Sequence, residues 1–423
     1  MKIPTILLLL GLFLPITTFA QSDAEGCDGA NYFYDLYEDI EKITVQYGSN
    51  TGVTGLQEDL FMDIYLPNNQ IEERPAIVWA FGGAFVFGSR EDMEEACLQF
   101  ARKGFVTATI DYRLYNPLLG IPDSLAVLDI MVKAMHDMRA AVRHLRLDAD
   151  TDNLYRIDPD RILVGGASAG AITALQTAFL DSEDNVPAYI QSIIDANGGL
   201  EGTSGNGQNL NYSSSAFGVI NLSGALLRKE WMNNATQIPI VSMHGMEDEV
   251  VPFNHGIATA DLNGLIVEFV GMDGSGLIHQ EADNLGINNY LVAVPGGGHD
   301  DIYFEPAYES FRLDYAVNGQ IFVYEQICPQ TEIGPEPSSI QELLPTKLEL
   351  SPNPAGEQTL IKLNDRYIQE IRLFSMDGAL VHTRSNLNQP NYDLSLGALP
   401  PGLYTLWVQD ETGKTYLEQL IKY

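Results

Sequence analysis

Arg161-Ile-Leu-Val-Gly-Gly-Ala-Ser-Ala-Gly170, running on into Ala171-Ile-Thr-Ala-Leu-Gln-Thr-Ala-Phe179, is the stretch on which the fold turns. Ile162, Leu163 and Val164 make the short apolar run of a buried strand, and Ala171 to Phe179 is rich in helix formers. Between them, Gly166-Ala167-Ser168-Ala169-Gly170 is a G-x-S-x-G set in a strand–turn–helix context. A turn that sharp leaves no room for side chains at its flanks, so glycines stand there. It also pushes the serine out at the start of a helix, whose free N–H groups favour developing negative charge. The pattern alone is weak, and residues elsewhere in the chain must supply its partners.

Outward from this stretch the chain alternates strand and helix signals. Lys42 to Tyr47, Leu60 to Leu66, Ala76 to Phe81, Phe105 to Asp111, Val219 to Leu222, Ile238 to Met243 and Tyr290 to Val294 read as strands. Glu91 to Lys103, Leu125 to Leu147 and a closing segment Tyr303 to Tyr324 read as helices. Strands separated by helices predict an α/β fold with a mostly parallel central sheet flanked by helices, whose sites lie at the carboxyl ends of the strands. Three loops there carry chemistry. Trp79-Ala-Phe-Gly-Gly-Ala-Phe-Val-Phe-Gly88 can turn backbone N–H groups toward an oxyanion. His244-Gly-Met-Glu-Asp-Glu-Val-Val-Pro252 offers Asp248, with Glu247 and Glu249 as rivals, to orient an imidazole. Pro295-Gly-Gly-Gly-His299 holds a histidine on a glycine loop ill suited to core packing. The other histidines (His136, His144, His244, His255, His279, His382) lack that setting and read as structural or exposed, with His255 the runner-up. Ser168, Asp248 and His299 occur in the order Ser…Asp…His, each after an expected strand. This order differs from those of the two well-known serine-protease folds.

At these residues the chain resembles a carboxylesterase of the α/β-hydrolase superfamily, nearest its feruloyl-esterase-like and hormone-sensitive-lipase-like branches. The resemblance runs over residues 40 to 326. It rests on Ala76 to Gly88, Ile110-Asp-Tyr-Arg-Leu114, Gly165 to Ala171, His244 to Pro252 and Gly298-His299. It implies Ser168 as nucleophile, Asp248 as triad acid, His299 as base, and the N–H groups of Gly83, Ala84 and Ala169 as oxyanion hole. The family commonly has His-Gly-Gly in the first loop, where this chain has Phe81-Gly-Gly. The expectation is a serine carboxylic-ester hydrolase acting through an acyl-enzyme on short-chain or cell-wall-type acyl esters, small or polysaccharide-linked. It needs no metal and no cofactor, and no zinc-spaced Cys/His cluster is present. The alternatives are a serine peptidase of the same fold and a non-catalytic hydrolase-like binding protein. The Gly-, Asn- and Ser-rich segment Gly198 to Ser215 reads equally as a pocket wall or a plain surface loop.

The remaining features bear on where the protein works. Met1-Lys2, the apolar run Ile6 to Leu14 and Thr18-Phe19-Ala20 predict a signal peptide over residues 1–20, cut after Ala20. No later apolar stretch is long enough to span a membrane. Of 423 residues, 45% are hydrophobic, and the formal charge is −34. Residues up to 346 carry 48 acidic and 16 basic side chains, whereas those from Lys347 on carry 9 and 7. Such a surface repels nucleic acid and anionic membranes. Of the three cysteines, Cys27 and Cys328 lie at the two ends of the expected hydrolase domain (21–327) and are the preferred disulfide pair, while Cys97 reads as a buried apolar residue.

Residues 328–345, with Cys328-Pro-Gln-Thr-Glu-Ile-Gly-Pro-Glu-Pro, read as a linker. From 346 to 423, short alternating strands separated by turn residues predict a small all-β sandwich. This module resembles the type A C-terminal sorting domain of type IX secretion, through Ser351-Pro-Asn-Pro-Ala355, Asp377-Gly378, Pro401-Gly-Leu-Tyr-Thr405 and Ile421-Lys-Tyr423. The resemblance implies the type IX secretion machinery as partner of residues 346–423, and a secreted or cell-surface location. A carbohydrate-binding or stabilising sandwich is the alternative.

Overall fold

The structure is a computed structural model. It describes residues 22–334 except 234–236 and 262–265, and residues 348–422 except 354, 364–365, 376–379, 398, 401 and 412–414. The expected signal peptide, residues 335–345 of the expected linker and the Asp377-Gly378 turn lie outside the described residues. The chain divides into two compact units, residues 1–335 and 336–423.

The first unit is built on one eight-stranded sheet. Its strands are β1 (Ile40–Thr51), β2 (Gln57–Pro67), β3 (Arg74–Ala80), β4 (Val106–Ile110), β5 (Ile157–Ala167), β6 (Val219–Leu222), β8 (Ile240–Gly245) and β11 (Asn289–Val294), in the order β1-β2-β4-β3-β5-β6-β8-β11. β1 with β2 and β2 with β4 run antiparallel, and every other neighbouring pair is parallel. Every residue of β3 and β4 is buried, in keeping with the apolar run Ala76 to Ala80 of β3, while in β4 Thr107 and Thr109 donate their hydroxyls to the Cys97 and Arg90 carbonyls. The helices packed with this sheet include α1 (Glu94–Ala101), α2 (Ser124–Asp150), α3 (Ala169–Phe179) and α4 (Ala188–Ala196). α2 starts where Asp123 accepts the Ala126 N–H at 2.8 Å, a side-chain N-cap.

Two features depart from the pattern read in the sequence. A second sheet, β7-β10-β9, is formed by Ala225–Leu226, Ile266–Gly274 and His255–Asp261, and α5 (Ser275–Leu285) follows it. The expected closing helix is broken into α6 (Asp301–Phe304), a turn at Pro306–Tyr308, α7 (Glu309–Asp314), a π-helical turn at Tyr315–Gly319 and α8 (Gln320–Ile327). Pro306 accounts for the first break. It has no N–H to give, and Glu305 before it is extended (φ −76°, ψ 138°).

Cys27 and Cys328 form a disulfide, with Cα atoms 5.7 Å apart and a sequence separation of 301, and Cys97 is a buried free thiol. Beside the bridge the Ala24 N–H donates to the Ile327 carbonyl at 3.0 Å, so the two ends of the unit are stitched by backbone as well. Closing so long a loop constrains the unfolded chain. The double variant Cys27→Ser/Cys328→Ser is therefore expected to lose about 2–5 kcal/mol of stability. A denaturant midpoint equal to that of the wild type rules this out.

The second unit holds β12 (Leu348–Ser351), β13 (Gln358–Leu363), β14 (Ile368–Ser375), β15 (Leu380–Gln389), β16 (Asn391–Ser395), β17 (Gly402–Asp410) and β18 (Thr415–Lys422). They form two antiparallel sheets, β12-β13-β16 and β15-β14-β17-β18. Ile361 and Leu394 from the first share a core with Ile371, Leu406 and Leu420 from the second.

Candidate active site

β5 ends at Ala167 and α3 begins at Ala169, so Ser168 alone makes the turn, at φ 52° and ψ −118°. A β-carbon on Gly166 would come within 2.3 Å of the Gly170 carbonyl carbon, and one on Gly170 within 2.0 Å of the Ala80 oxygen. The two glycines are therefore demanded by the closeness of α3 to β5 and β3. The left-handed backbone at Ser168, sparsely populated for a residue with a β-carbon, is held by its N–H bond to Leu222 O at 2.8 Å.

Ser168 Oγ lies 2.9 Å from His299 Nε2, and His299 Nδ1 lies 2.7 Å from Asp248 Oδ2. Asp248 follows β8 and His299 follows β11, its parallel neighbour in the sheet. Their loops touch backbone to backbone: a β-carbon on Gly245 would meet Gly298 O at 2.2 Å, and the Glu247 N–H donates to Gly297 O at 2.9 Å. Glycine at 245 is what lets the two loops close up. The side chain of Asp248 is fully buried, whereas its rivals Glu247 and Glu249 are exposed. Burial by itself raises the Asp248 carboxyl. Hydrogen bonds from His244 and His299 outweigh it and bring the group down to about 2. Its Oδ1 also accepts the N–H groups of Val250 and Val251, each at 2.8 Å. Asp248 is therefore an acceptor throughout, so His299 carries its proton on Nδ1 and its Nε2 accepts from the Ser168 hydroxyl.

After β3 the loop doubles back, with positive φ at Gly83 (115°), Ala84 (55°) and Phe85 (61°). Gly82 sits against the serine, since a β-carbon on it would be 3.4 Å from Ser168 Cβ. None of the loop's backbone bonds takes up the Gly83 or Ala84 N–H. Both residues line the cavity beside Ser168, while Ala169, buried in the first turn of α3, is not among the lining residues. Phe81 stacks on Tyr112 with ring centroids 4.3 Å apart. The Tyr112 hydroxyl donates to Phe81 O at 2.8 Å. The loop is thus braced by ring packing and a tyrosine hydroxyl.

The cavity in front of Ser168 and His299 measures about 510 Å³. Phe87, Leu222, Val250, Ala260, Tyr303 and Phe304 give it a mainly apolar lining, to which Asp261 and Asp300 add negative charge. Phe304 and Phe87 are exposed rings on its wall. The runner-up His255 stands elsewhere, on β9, exposed and 2.8 Å from Asp273. The segment 198–215 is not a wall of this cavity. It packs on α2 and β1, where Glu201 meets Arg139 and Arg143, Ser204 bonds Asp137 at 2.6 Å, and Asn209 reaches Tyr47 O. Among the described residues no group of three or more His, Cys, Asp or Glu side chains is placed to hold a metal ion, and no helix is long and apolar enough to cross a membrane.

Of the histidines read as structural or exposed, His244 is the one that reaches the candidate site. It is fully buried, with Nε2 3.1 Å from Asp248 Oδ2. The one signal available was its position four residues before Asp248.

Among known proteins, residues 62–261 match the family described as BD-FAE, a span that contains Ser168 and Asp248 but ends before His299. Residues 349–423 match the secretion system C-terminal sorting domain. The chain is 27% identical over 146 residues to a protein described as a probable isoprenylcysteine alpha-carbonyl methylesterase of Arabidopsis thaliana, covering 33% of this chain and 28% of that one. It is 31% identical over 126 residues to a carboxylic ester hydrolase of Bombus ignitus, covering 28% and 20% respectively. The chain thus spans less than a third of the length of these relatives. Among solved structures, Thermogutta terrifontis esterase 2 phosphoramylated by tabun is similar at a TM-score of 0.46 and 20% identity, over 68% of this chain and 96% of that one.

Proposed function

We propose, for a chain in which residues 62–261 belong to the BD-FAE family and residues 349–423 are a secretion system C-terminal sorting domain, that the first unit is a serine carboxylic-ester hydrolase. The observation that carries this reading is the unbroken hydrogen-bond chain Ser168–His299–Asp248, opening on an apolar cavity beside the Gly83 and Ala84 N–H groups, which no backbone carbonyl among the described residues takes up.

In this reading His299 Nε2 takes the Ser168 proton as Oγ attacks the ester carbonyl, and the tetrahedral oxyanion forms against the N–H groups of Gly83, Ala84 and Ala169. Each such donor contributes on the order of 3 kcal/mol to the transition state. The imidazolium then protonates the leaving alcohol, and the acyl group stays on Ser168 until water, activated by the same histidine, releases the acid. Asp248 holds the imidazole tautomer and stabilises its cation. The apolar walls suit a short acyl chain or a flat cell-wall-type acyl group, and the negative charge of Asp261 and Asp300 favours neutral esters over anionic ones. Carboxylic ester hydrolase is also the printed description of the Bombus ignitus relative. Residues 346–423 direct the protein to the type IX secretion machinery and so to the cell surface or the medium.

The test is a substrate panel of p-nitrophenyl acetate, butyrate and decanoate, methyl ferulate, acetylated xylan and a chromogenic prolyl peptide, given to the protein starting at Gln21. Ester turnover that disappears in Ser168→Ala is the expected result. Cleavage of the peptide alone transfers the protein to the peptidases, and silence on every substrate rejects the enzyme reading.

A further inference from the structure

From Asp248 a row of buried polar side chains runs through the core, and its hydrogen-bond directions can be assigned. Asn221 on β6 accepts the Gly224 N–H through Oδ1 at 2.9 Å, which fixes its amide orientation. Its two N–H donors then go to Ser275 Oγ at 3.0 Å and Ser242 Oγ at 2.9 Å. Each serine, having accepted, has its own hydrogen to give: Ser275 to His244 Nδ1 at 2.8 Å, and Ser242 to His279 Nε2 at 2.7 Å. His244 carries a proton on Nε2, which it donates to Asp248 Oδ2 at 3.1 Å and to Val251 O at 3.0 Å. Both are pure acceptors, so the assignment is the same from either end.

The fold makes this row possible. Asn221 pairs with Ser242 across β6 and β8, and Ser242 and His244 point to one face two residues apart. Ser275 and His279 lie one turn apart on α5, a spacing of about 6 Å that matches the two-residue rise of the strand. Asn221, Ser242, His244 and Ser275 are all fully buried. The ring of Phe253 stands edge-on to His244, with centroids 5.6 Å apart.

We propose that His244 is a positioning residue for the reaction at Ser168: its fixed Nε2–H pins the Asp248 carboxylate so that Oδ2 faces His299. Asp248 then has four donors, two on each oxygen, and no freedom to rotate away from the imidazole. In a buried site the geometry of such a carboxylate governs how well the base is oriented, and a support one step removed typically matters ten- to a hundredfold. The inference rests on the ester-hydrolase reading of the site.

The experiment compares kcat and KM on p-nitrophenyl acetate for wild type, Ser168→Ala, His244→Ala and His244→Gln, with near-UV circular dichroism to confirm folding. Alongside, long-range 1H–15N correlation on histidine-labelled wild type reads the tautomer of His244. The expected result is a loss of kcat on the order of ten- to a hundredfold in His244→Ala with KM within about twofold. Recovery of most of that loss is expected in His244→Gln, whose amide N–H can stand where Nε2 does, together with a neutral Nε2–H tautomer in the wild type. A folded His244→Ala with wild-type kcat overturns the proposal, as does an equal loss in both variants or an Nδ1–H tautomer. If His244→Ala does not fold, the glutamine variant and the tautomer decide. A wild type inert on esters rejects the hydrolase reading itself. An active wild type that Ser168→Ala silences and His244→Ala does not rejects only the role of His244.

Discussion

Ser168→Ala is expected to lower ester turnover by about a millionfold in kcat while the protein remains folded. The chemical side of this expectation is that, among the described residues, the hydroxyl is the one nucleophile hydrogen-bonded to His299 Nε2, at 2.9 Å. Without it the acyl-enzyme cannot form, and what remains is the polarising effect of the loop N–H groups on an ester attacked by water. The structural side is that little else depends on the side chain. The backbone N–H of residue 168 keeps its bond to Leu222 O, and the carbonyl keeps its bond to the Ile172 N–H. Alanine has the same β-carbon, so the strain of the left-handed turn is unchanged, and Gly166 and Gly170 still clear their neighbours. A folded variant with turnover within tenfold of the wild type would falsify the nucleophile assignment.

Asp248→Asn is the second large effect, with kcat expected to fall about ten-thousandfold. The amide is isosteric, so its orientation decides the outcome, and the backbone settles that orientation. The N–H groups of Val250 and Val251 both require an acceptor at the Oδ1 position. The amide oxygen must therefore stand there, and the NH2 group takes the place of Oδ2. Facing His299 Nδ1 with a donor forces that imidazole to carry its proton on Nε2, where it can no longer accept from Ser168. The same NH2 also meets the Nε2–H of His244, donor against donor, and the Ser275 hydroxyl opposes any switch of that ring. The variant is expected to unfold at a lower temperature than the wild type as well, because a buried donor is left without its acceptor. Turnover reduced less than tenfold would remove Asp248 from the role of acid and reopen the choice among its neighbours. The depressed carboxyl gives a further sign to check. Its contribution to stability is complete above the unfolded value near 4 and is lost as pH falls through about 2. Asp248→Asn should therefore narrow its stability gap to the wild type below pH 4.

The sequence by itself determined whatever depends on short-range pattern. The run Ala76 to Phe81 is apolar throughout, and Val219 to Leu222 is apolar but for Asn221, because parallel strands are covered on both faces, and their limits in the structure fall within two residues of those read from the chain. Gly166 and Gly170 announce the turn because nothing larger fits against Ala80 and β5. The near-neutral charge balance after Lys347 marks a separate unit without reference to any contact.

Tertiary structure alone decided what depends on burial and on partners distant in the chain. Asp248, Glu247 and Glu249 are three adjacent carboxylates that no local rule separates. One is buried against His299, 51 residues away, and two face solvent. His244 and His255 look alike as loop-flanking histidines, yet one donates to Asp248 from the core and the other sits exposed beside Asp273. The segment 198–215 has a loop's composition wherever it lies, and its docking follows from the buried Arg113 and from Arg139 and Arg143 on α2, which hydrogen-bond Leu200 and Ser204, contacts that composition does not record. The β7-β10-β9 sheet was illegible for the same reason: its strands draw their hydrogen bonds from each other, and a sequence records propensities rather than pairings.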